Sequence, residues 1–428
     1  MPRSLTLPGP NNTVRTTLAN GITVLARENF ASPAVVVNGY LIAGSEDEPP
    51  GKRGLAGFTT DVMQRGTQRR PFSDLYEQVE SIGAAFGVGS GSHVASFGAK
   101  GLVEHFATLL DIVADVLIAP AFDVRQAERA RTEILTSIRE RTRDTRRLAR
   151  LAFYELAYPT GHPYHWSQVG YSDTIASISQ DDLIEFHETY VSPQDMVIAI
   201  VGGIQTDVAV SCVADAFGDW TKTRPPRAPL PTVPRIGSTR RRSIAVSDKT
   251  QTSLVLGWPG PSRDQDDFLA CFVANTILGV FGMYGRLGER LREQHGLAYY
   301  IYSGLDGGSG PGPWSIQAGL DPATAEQATV LILDEVRRIQ DAHVQGEELT
   351  DTIAHLTGSL PLALETNEGV SRSLVNIERY SLGLDYLQTY AALIESITSD
   401  QVQAAAQRWL DPDRYVLALA GPGEAENG

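Results

Sequence analysis

At 428 residues, with 42% hydrophobic and 8% aromatic content, the chain has the composition of an ordinary globular protein and the length for two or three domains, each with its own core. A formal net charge of −15 and a pI near 5 disfavour nucleic acid and anionic membrane as partners, because both reward clustered positive charge. The two cysteines, Cys212 and Cys271, lie far apart in apolar helical patterns and imply no disulfide framework.

The N-terminal stretch Met1 to Pro8 lacks the apolar centre of a signal peptide, and no apolar run approaches the roughly 18 residues needed to span a bilayer. A cytoplasmic protein is expected. The first informative segment follows: Gly54-Leu55-Ala56-Gly57-Phe58-Thr59-Thr60-Asp61-Val62-Met63-Gln64-Arg65-Gly66-Thr67. Its frame resembles the zinc-binding helix of the pitrilysin/insulinase-type peptidases, the family of the mitochondrial processing peptidase. There the stretch reads Gly-Ile-Ala-His-Phe-Leu-Glu-His-Met, followed by Lys/Arg-Gly-Thr. In that pattern two His one helical turn apart bind zinc, and the Glu between them is the general base for the metal-bound water. Gly57, Thr60 and Asp61 stand where His, Glu and His belong. The family's third ligand, a Glu on a later helix, falls in Arg131-Thr132-Glu133-Ile134-Leu135-Thr136-Ser137-Ile138-Arg139, at Ser137. Gly and Thr can neither ligate zinc nor act as base, and the single carboxylate of Asp61 does not make a site. The chain is therefore expected to hold no zinc of its own. The remaining His offer no substitute: His162 and His165 flank a proline turn and read as turn or surface residues, and the others are scattered singly.

The arginines from Arg139 to Arg150, interrupted by Glu140 and Asp144, read as a solvated helix face, with contact to an acidic partner or substrate as the other use of such a run. Beyond them the chain repeats itself. Ser177-Ile178-Ser179-Gln180-Asp181-Asp182-Leu183 leads through Pro193 to the apolar run Val197 to Gly202, and Ser396-Ile397-Thr398-Ser399-Asp400-Gln401-Val402 leads through Pro412 to Val416 to Gly421. The pairs Ser177/Ser396, Pro193/Pro412 and Gly202/Gly421 share one offset, 219, which marks a duplication. Each unit reads as a capped helix, a proline turn and a buried strand. A helix from Leu102 to Leu117 after a strand around 94–99 likewise parallels one from Ala323 to Ile339 after a strand from Trp314 to Leu320. Between the halves, residues 221–243 hold five prolines and several arginines, which is linker composition. The expected architecture is α+β: a domain over 1–220, a linker over 221–243 and a homologous domain over 244–428. Each domain is a mostly antiparallel sheet with helices packed on one face. The resemblance covers nearly the whole chain and implies the same plan, two like domains forming half of a clamshell with a second protomer.

In the second half, Gly285 to Ser303 reads as a helix over 286–294, a C-cap at Gly296 and a strand over 297–303. The residues alone allow Arg292 to pair with Glu289 and Tyr299 to pack between Leu297 and Ile301. The resemblance implies another role, because Arg292 and Tyr299 match an Arg and a Tyr that grip the substrate backbone near the scissile bond. The glycine-rich stretch from Gly304 to Pro313 lacks a Gly-Lys-Ser/Thr ending and reads as a flexible loop rather than a phosphate cradle. The family includes heterodimers in which one subunit carries zinc and the other the Arg/Tyr pair. This chain has the second pattern, so the resemblance implies a partner with an intact zinc site, a peptide substrate and no cofactor in the chain itself. Two alternatives share the fold: an inert scaffold subunit, and a peptide-binding homodimer without hydrolase activity.

Overall fold

The computed structural model describes residues 6–280 and 285–422; the first five residues of the stretch read for a leader, residues 281–284 and the last six lie outside the described residues. Two sheets organise the chain. The first has strands β1 (Val14–Thr17), β2 (Thr23–Glu28), β3 (Ala34–Leu41), β4 (Ala85–Ser90), β5 (Ala95–Leu102) and β6 (Val197–Gly202), in the order β1-β2-β6-β3-β5-β4. The second has β7 (Arg240–Ala245), β8 (Thr252–Pro259), β9 (Ala298–Leu305), β10 (Pro313–Leu320) and β11 (Val416–Gly421), in the order β7-β11-β8-β10-β9. Each sheet is antiparallel except for one pairing, β2 with β6 and β7 with β11. The match is the duplication in three dimensions: β6 and β11 lie at the 219-residue offset and hold the same place in their sheets.

The repeated helix starts are capping boxes, as Ser179 and Thr398 predict. The Ser179 hydroxyl accepts from the Asp182 amide at 3.1 Å, and the Thr398 hydroxyl from the Gln401 amide at 3.3 Å. In return the Asp182 carboxylate and the Gln401 side-chain oxygen accept from the backbone amides of Ser179 and Thr398 at 2.6 and 2.9 Å.

The strands β6 and β11 are buried along their whole length, so both faces of each sheet must be covered. On one face of the first sheet, Val197, Ala199 and Val201 meet Val370, Leu374 and Ile377 of the helix Asn367–Arg379. Ile198 and Ile200 alternate to the opposite face and are equally buried. In the second sheet, Val416, Ala418 and Ala420 meet Ala149, Ala152 and Phe153 of the helix Thr145–Ala157. Each sheet thus takes one helix from the other half of the sequence. The compact units are accordingly interleaved: residues up to Thr136, Ser167–Ala228 and Ser359–Tyr390 form one, and Ser137–Trp166, Pro229–Gly358 and residues from Ala391 form the other. The two exchanged helices begin alike, with Asp144 accepting from the Arg147 amide at 3.1 Å and Thr366 from the Gly369 amide at 3.0 Å.

Several boundaries move. The stretch expected as a helix from Leu102 opens instead with the end of β5, where Leu102 pairs with Ala34, then a short turn at Val103–His105, and the helix runs Phe106–Ile118. Its counterpart begins at Ala325 after a turn at Pro322–Thr324 and ends at Asp341. In the expected linker, residues 240–243 open β7, an edge strand whose arginines suit a solvent-facing position. His162 is fully buried, stacked on Tyr158 with ring centroids 5.4 Å apart, which corrects its reading as a surface residue; the turn itself is present at Pro163–His165.

The proline-rich segment is also tied down within the first unit. Arg227 donates to Asp47 Oδ1 at 2.8 Å and to the His93 carbonyl at 2.7 Å, and pairs with Glu46, which in turn bonds His93 Nδ1 at 2.6 Å. The side chains of Asp47 and Glu46 are only 5% and 10% exposed. Arg227→Ala leaves both carboxylates buried without their cation, and the expected cost is about 3–5 kcal/mol. Urea denaturation reads this as a lower midpoint. An unchanged midpoint would mean that the carboxylates find water or another cation.

Candidate functional site

In the first unit the helix Leu55–Met63 occupies the position of the expected metal helix. Its start requires glycine: Gly54 has φ +94°, and a Cβ there would come within 2.7 Å of the Ile175 side chain. A carboxylate completes the start, with the amides of Gly54 and Ala56 donating to Glu48 Oε1 at 3.1 and 3.0 Å. Burial pushes the Glu48 carboxyl up to about 8, against the pull of those two amides and of Arg53.

The side chains that follow are occupied with other partners. Gly57 offers no ligand, and a Cβ there would sit 3.4 Å from the Gln168 carbonyl. Thr60 is buried and turns its hydroxyl back onto its own helix, donating to the carbonyls of Ala56 and Gly57 at 3.2 and 3.0 Å. Asp61 is held by Arg65 one turn on, with Nη2 3.1 Å from Oδ2. The same guanidinium donates from Nη1 to Glu133 Oε1 at 3.3 Å and pairs with Oε2 through Nη2. Arg65 keeps the Glu133 carboxyl below its ordinary range, while burial raises that of Asp61. Ser137 lies one turn beyond Glu133 on the helix Val124–Arg141. The residues present do not fit a zinc ion: two positions lack ligating groups, the general base is absent, and the one carboxylate already neutralises a fixed cation that opposes a dication. Among the described residues no group of three or more His, Cys, Asp or Glu is placed to hold a metal. The Asp61–Arg65 pair was readable as an i, i+4 spacing; its extension to Glu133 was not.

Gln64 adds a contact that no motif announces. Its amide donates to the Val88 carbonyl at 3.1 Å and accepts from the Val88 amide at 3.4 Å, occupying both backbone groups of that residue on the open edge of β4.

In the second unit the helix over 286–294 is present, with its part Gly288–Gln294 wound in wider, π-type turns. Leu287 and Leu291 are fully buried, and Arg286 grips Glu348 with two bonds of 2.7 and 2.6 Å, so the inner face is fixed. Gly296, at φ +63°, ends the helix. Its amide bonds the Arg292 carbonyl at 3.0 Å, and the Leu297 amide bonds the Leu291 carbonyl at 2.8 Å.

Arg292 and Tyr299 stand on either side of this turn, and both are available. The Arg292 side chain is 45% exposed, and its nearest carboxylate is Glu293 at 3.9 Å. Glu289, the other partner considered, instead accepts from Gln294 at 3.1 Å. Tyr299 is 58% exposed, whereas Ile301 is buried. The reason lies in the pairing of β9 with β10. Tyr300 opposes Gly319 and Ala298 opposes Leu320, which leaves Tyr299 as the extra residue of a β-bulge. A bulge turns a side chain out of the regular alternation, and sequence alone did not reveal this one. No hydrogen bond joins Arg292 to Tyr299, so guanidinium and phenol are both free to donate to an acceptor.

A duplicated α+β fold, with a metal helix stripped of ligands in one half and an exposed Arg/Tyr pair in the other, defines a metallopeptidase-like protein. Residues 23–161 match the family described as insulinase (peptidase family M16), and residues 177–356 match the peptidase M16 inactive domain. An uncharacterized zinc protease of Mycobacterium leprae (strain TN) is 26% identical over 413 residues, 95% of this chain and 91% of that protein. A probable mitochondrial-processing peptidase subunit beta of Arabidopsis thaliana is 24% identical over 425 residues, 95% and 78% of the two chains. A crystal structure of a peptidase M16 inactive domain from Pseudomonas fluorescens matches with a TM-score of 0.90 at 26% identity, covering 97% of this chain and 99% of that one. The chain belongs to the M16 peptidase family.

Proposed function

We propose that this chain is a non-catalytic, substrate-positioning subunit. It docks with a separate, homologous zinc-bearing chain, which hydrolyses peptides in an enclosed chamber while Arg292 and Tyr299 hold the peptide. The observation that carries this reading is an asymmetry between the two loci. At Gly57, Thr60 and Asp61 the side chains are missing or already bonded, whereas Arg292 and Tyr299 are exposed and unspent. A guanidinium and a phenol are the donors that a peptide carbonyl, or the oxyanion formed from it, requires. Tyr299 also lies on β9, the last strand in the order of its sheet, and last strands are where extended peptides join a sheet. Among the described residues no helix is long and apolar enough to cross a membrane, and the proposed setting is cytoplasmic.

The isolated chain tests the first half of this reading. It is expected to bind no stoichiometric zinc and to hydrolyse no peptide, because a zinc ion at Asp61 would have to displace Arg65. Metal analysis after purification measures this. One zinc per chain, lost in Asp61→Ala, would overturn the reading.

A further inference from the structure

The helix Thr145–Ala157 covers β11 and β8 but leaves the same face of β9 and β10 open, and the result in the second unit is a trough of about 290 Å³. It is lined by Arg150, Tyr154, Ser315 and Gln317 among others, and the surface that continues from it along β9 is aromatic and polar. Tyr300 and Tyr302 stack with ring centroids 6.3 Å apart, and the Tyr302 hydroxyl donates to Gln317 at 2.7 Å. The Tyr300 ring lies over Gly319, where a Cβ would come within 2.3 Å of it. The helix beside this surface is cationic, with Arg150 lining the trough and Arg146 standing over Tyr300. Arg146 donates from Nε to the Tyr300 hydroxyl at 3.1 Å, with its guanidinium 4.3 Å from that ring, and Arg150 lies 5.7 Å from the Tyr154 ring. Both arginines are exposed, and among the described residues neither has a carboxylate within 4 Å. Asp144 is engaged by Arg147 at 3.4 Å, and Asp306 lines the trough together with Arg150 and favours its charge from beyond contact distance.

The duplication supplies the contrast. The exchanged helices align at an offset of 222, since their caps are Asp144 and Thr366, and this sets Arg146 against Glu368. In the first unit Glu368 pairs with Lys100 of β5, so the charge at that position is neutralised within the fold. In the second unit the sign is reversed and the direct partner is a phenol, so no ion pair within the fold takes up the Arg146 guanidinium. A chain of net charge −15 keeps these two cations over tyrosines, with no carboxylate in salt-bridge contact among the described residues.

We propose that this trough binds an acidic peptide segment, laid extended along β9 with alternate carboxylate side chains toward Arg146 and Arg150. Strand geometry suits it, because side chains two residues apart share a face, and the tyrosine rings offer apolar contact between charges. The inference rests on the proposed peptide-holding role and adds the class of peptide. It also gives the arginine run a purpose beyond solvation, since a guanidinium stacked on a ring is already oriented to meet a carboxylate in two-point fashion.

The test is binding by the purified full chain, read as fluorescence anisotropy with two labelled peptides of one length: alternating Glu and Val, and alternating Lys and Val. The acidic peptide is expected to bind at least about tenfold more tightly, and the preference to disappear in Arg146→Gln/Arg150→Gln. Both residues are exposed, so circular dichroism and the melting temperature should not change. Equal affinity for the two peptides, preference for the basic one, no binding of either, or a double variant that keeps the preference would each overturn the inference. A chain that remains zinc-free and supports a partner's activity while preferring basic peptides would sink the acidic assignment alone and leave the positioning role standing.

Discussion

Arg292→Ala and Tyr299→Phe, each placed in the complex with a zinc-bearing partner, are expected to lower turnover by about 10²–10³, the usual cost of removing one preorganised donor. Folding and assembly should be unaffected. The Arg292 side chain is 45% exposed with no carboxylate closer than 3.9 Å, and Tyr299 projects from a bulge with more than half of its surface in solvent, so neither supports the core. The double variant should be little worse than the poorer single, because either loss already spoils the shared grip on one substrate group. Steady-state kinetics on the assembled complex, with sizing to verify assembly, measures both points. Unchanged kinetics in the two single variants would return these residues to a surface role and favour the inert scaffold.

The sequence carried the large features of this protein because they rest on local rules. The duplication shows in caps, prolines and terminal glycines at one spacing, and its caps Ser179 and Thr398 close capping boxes; in the separate motif after residue 285, Gly296 takes the left-handed conformation a C-cap requires. At the helix Leu55–Met63 the reading rests on residue type alone, since Gly57 has no side chain and the Thr60 hydroxyl is bonded to its own helix. What escaped is long-range. The apolar runs of β6 and β11 announce buried strands, but nothing local says that a helix from the other half of the chain covers a second face of each sheet. Arg227 looked like linker composition until the fold set it between Glu46 and Asp47. His162 misled because a polar residue beside a proline is usually solvated, and here it is enclosed by Tyr158 and Tyr164. Even the bulge at Tyr299 depends on the partner strand, because it exists only in register with Gly319 and Leu320.

The proposed role also sets what each of two subunits would bring. In the proposed role this chain brings the donors, and the ligands, the base and the zinc fall to the partner. An inert scaffold would not need donors left exposed, and a peptide-binding homodimer would need no partner. These readings separate in one experiment. The chain is mixed with a homologous subunit that retains His-x-x-Glu-His, the complex is isolated by sizing, and hydrolysis of a fluorogenic peptide is followed for each subunit alone and for the pair. The proposed role predicts a stable complex with activity that neither subunit shows by itself, because each contributes an incomplete site. A zinc subunit that is fully active alone, and gains nothing from this chain, would contradict it.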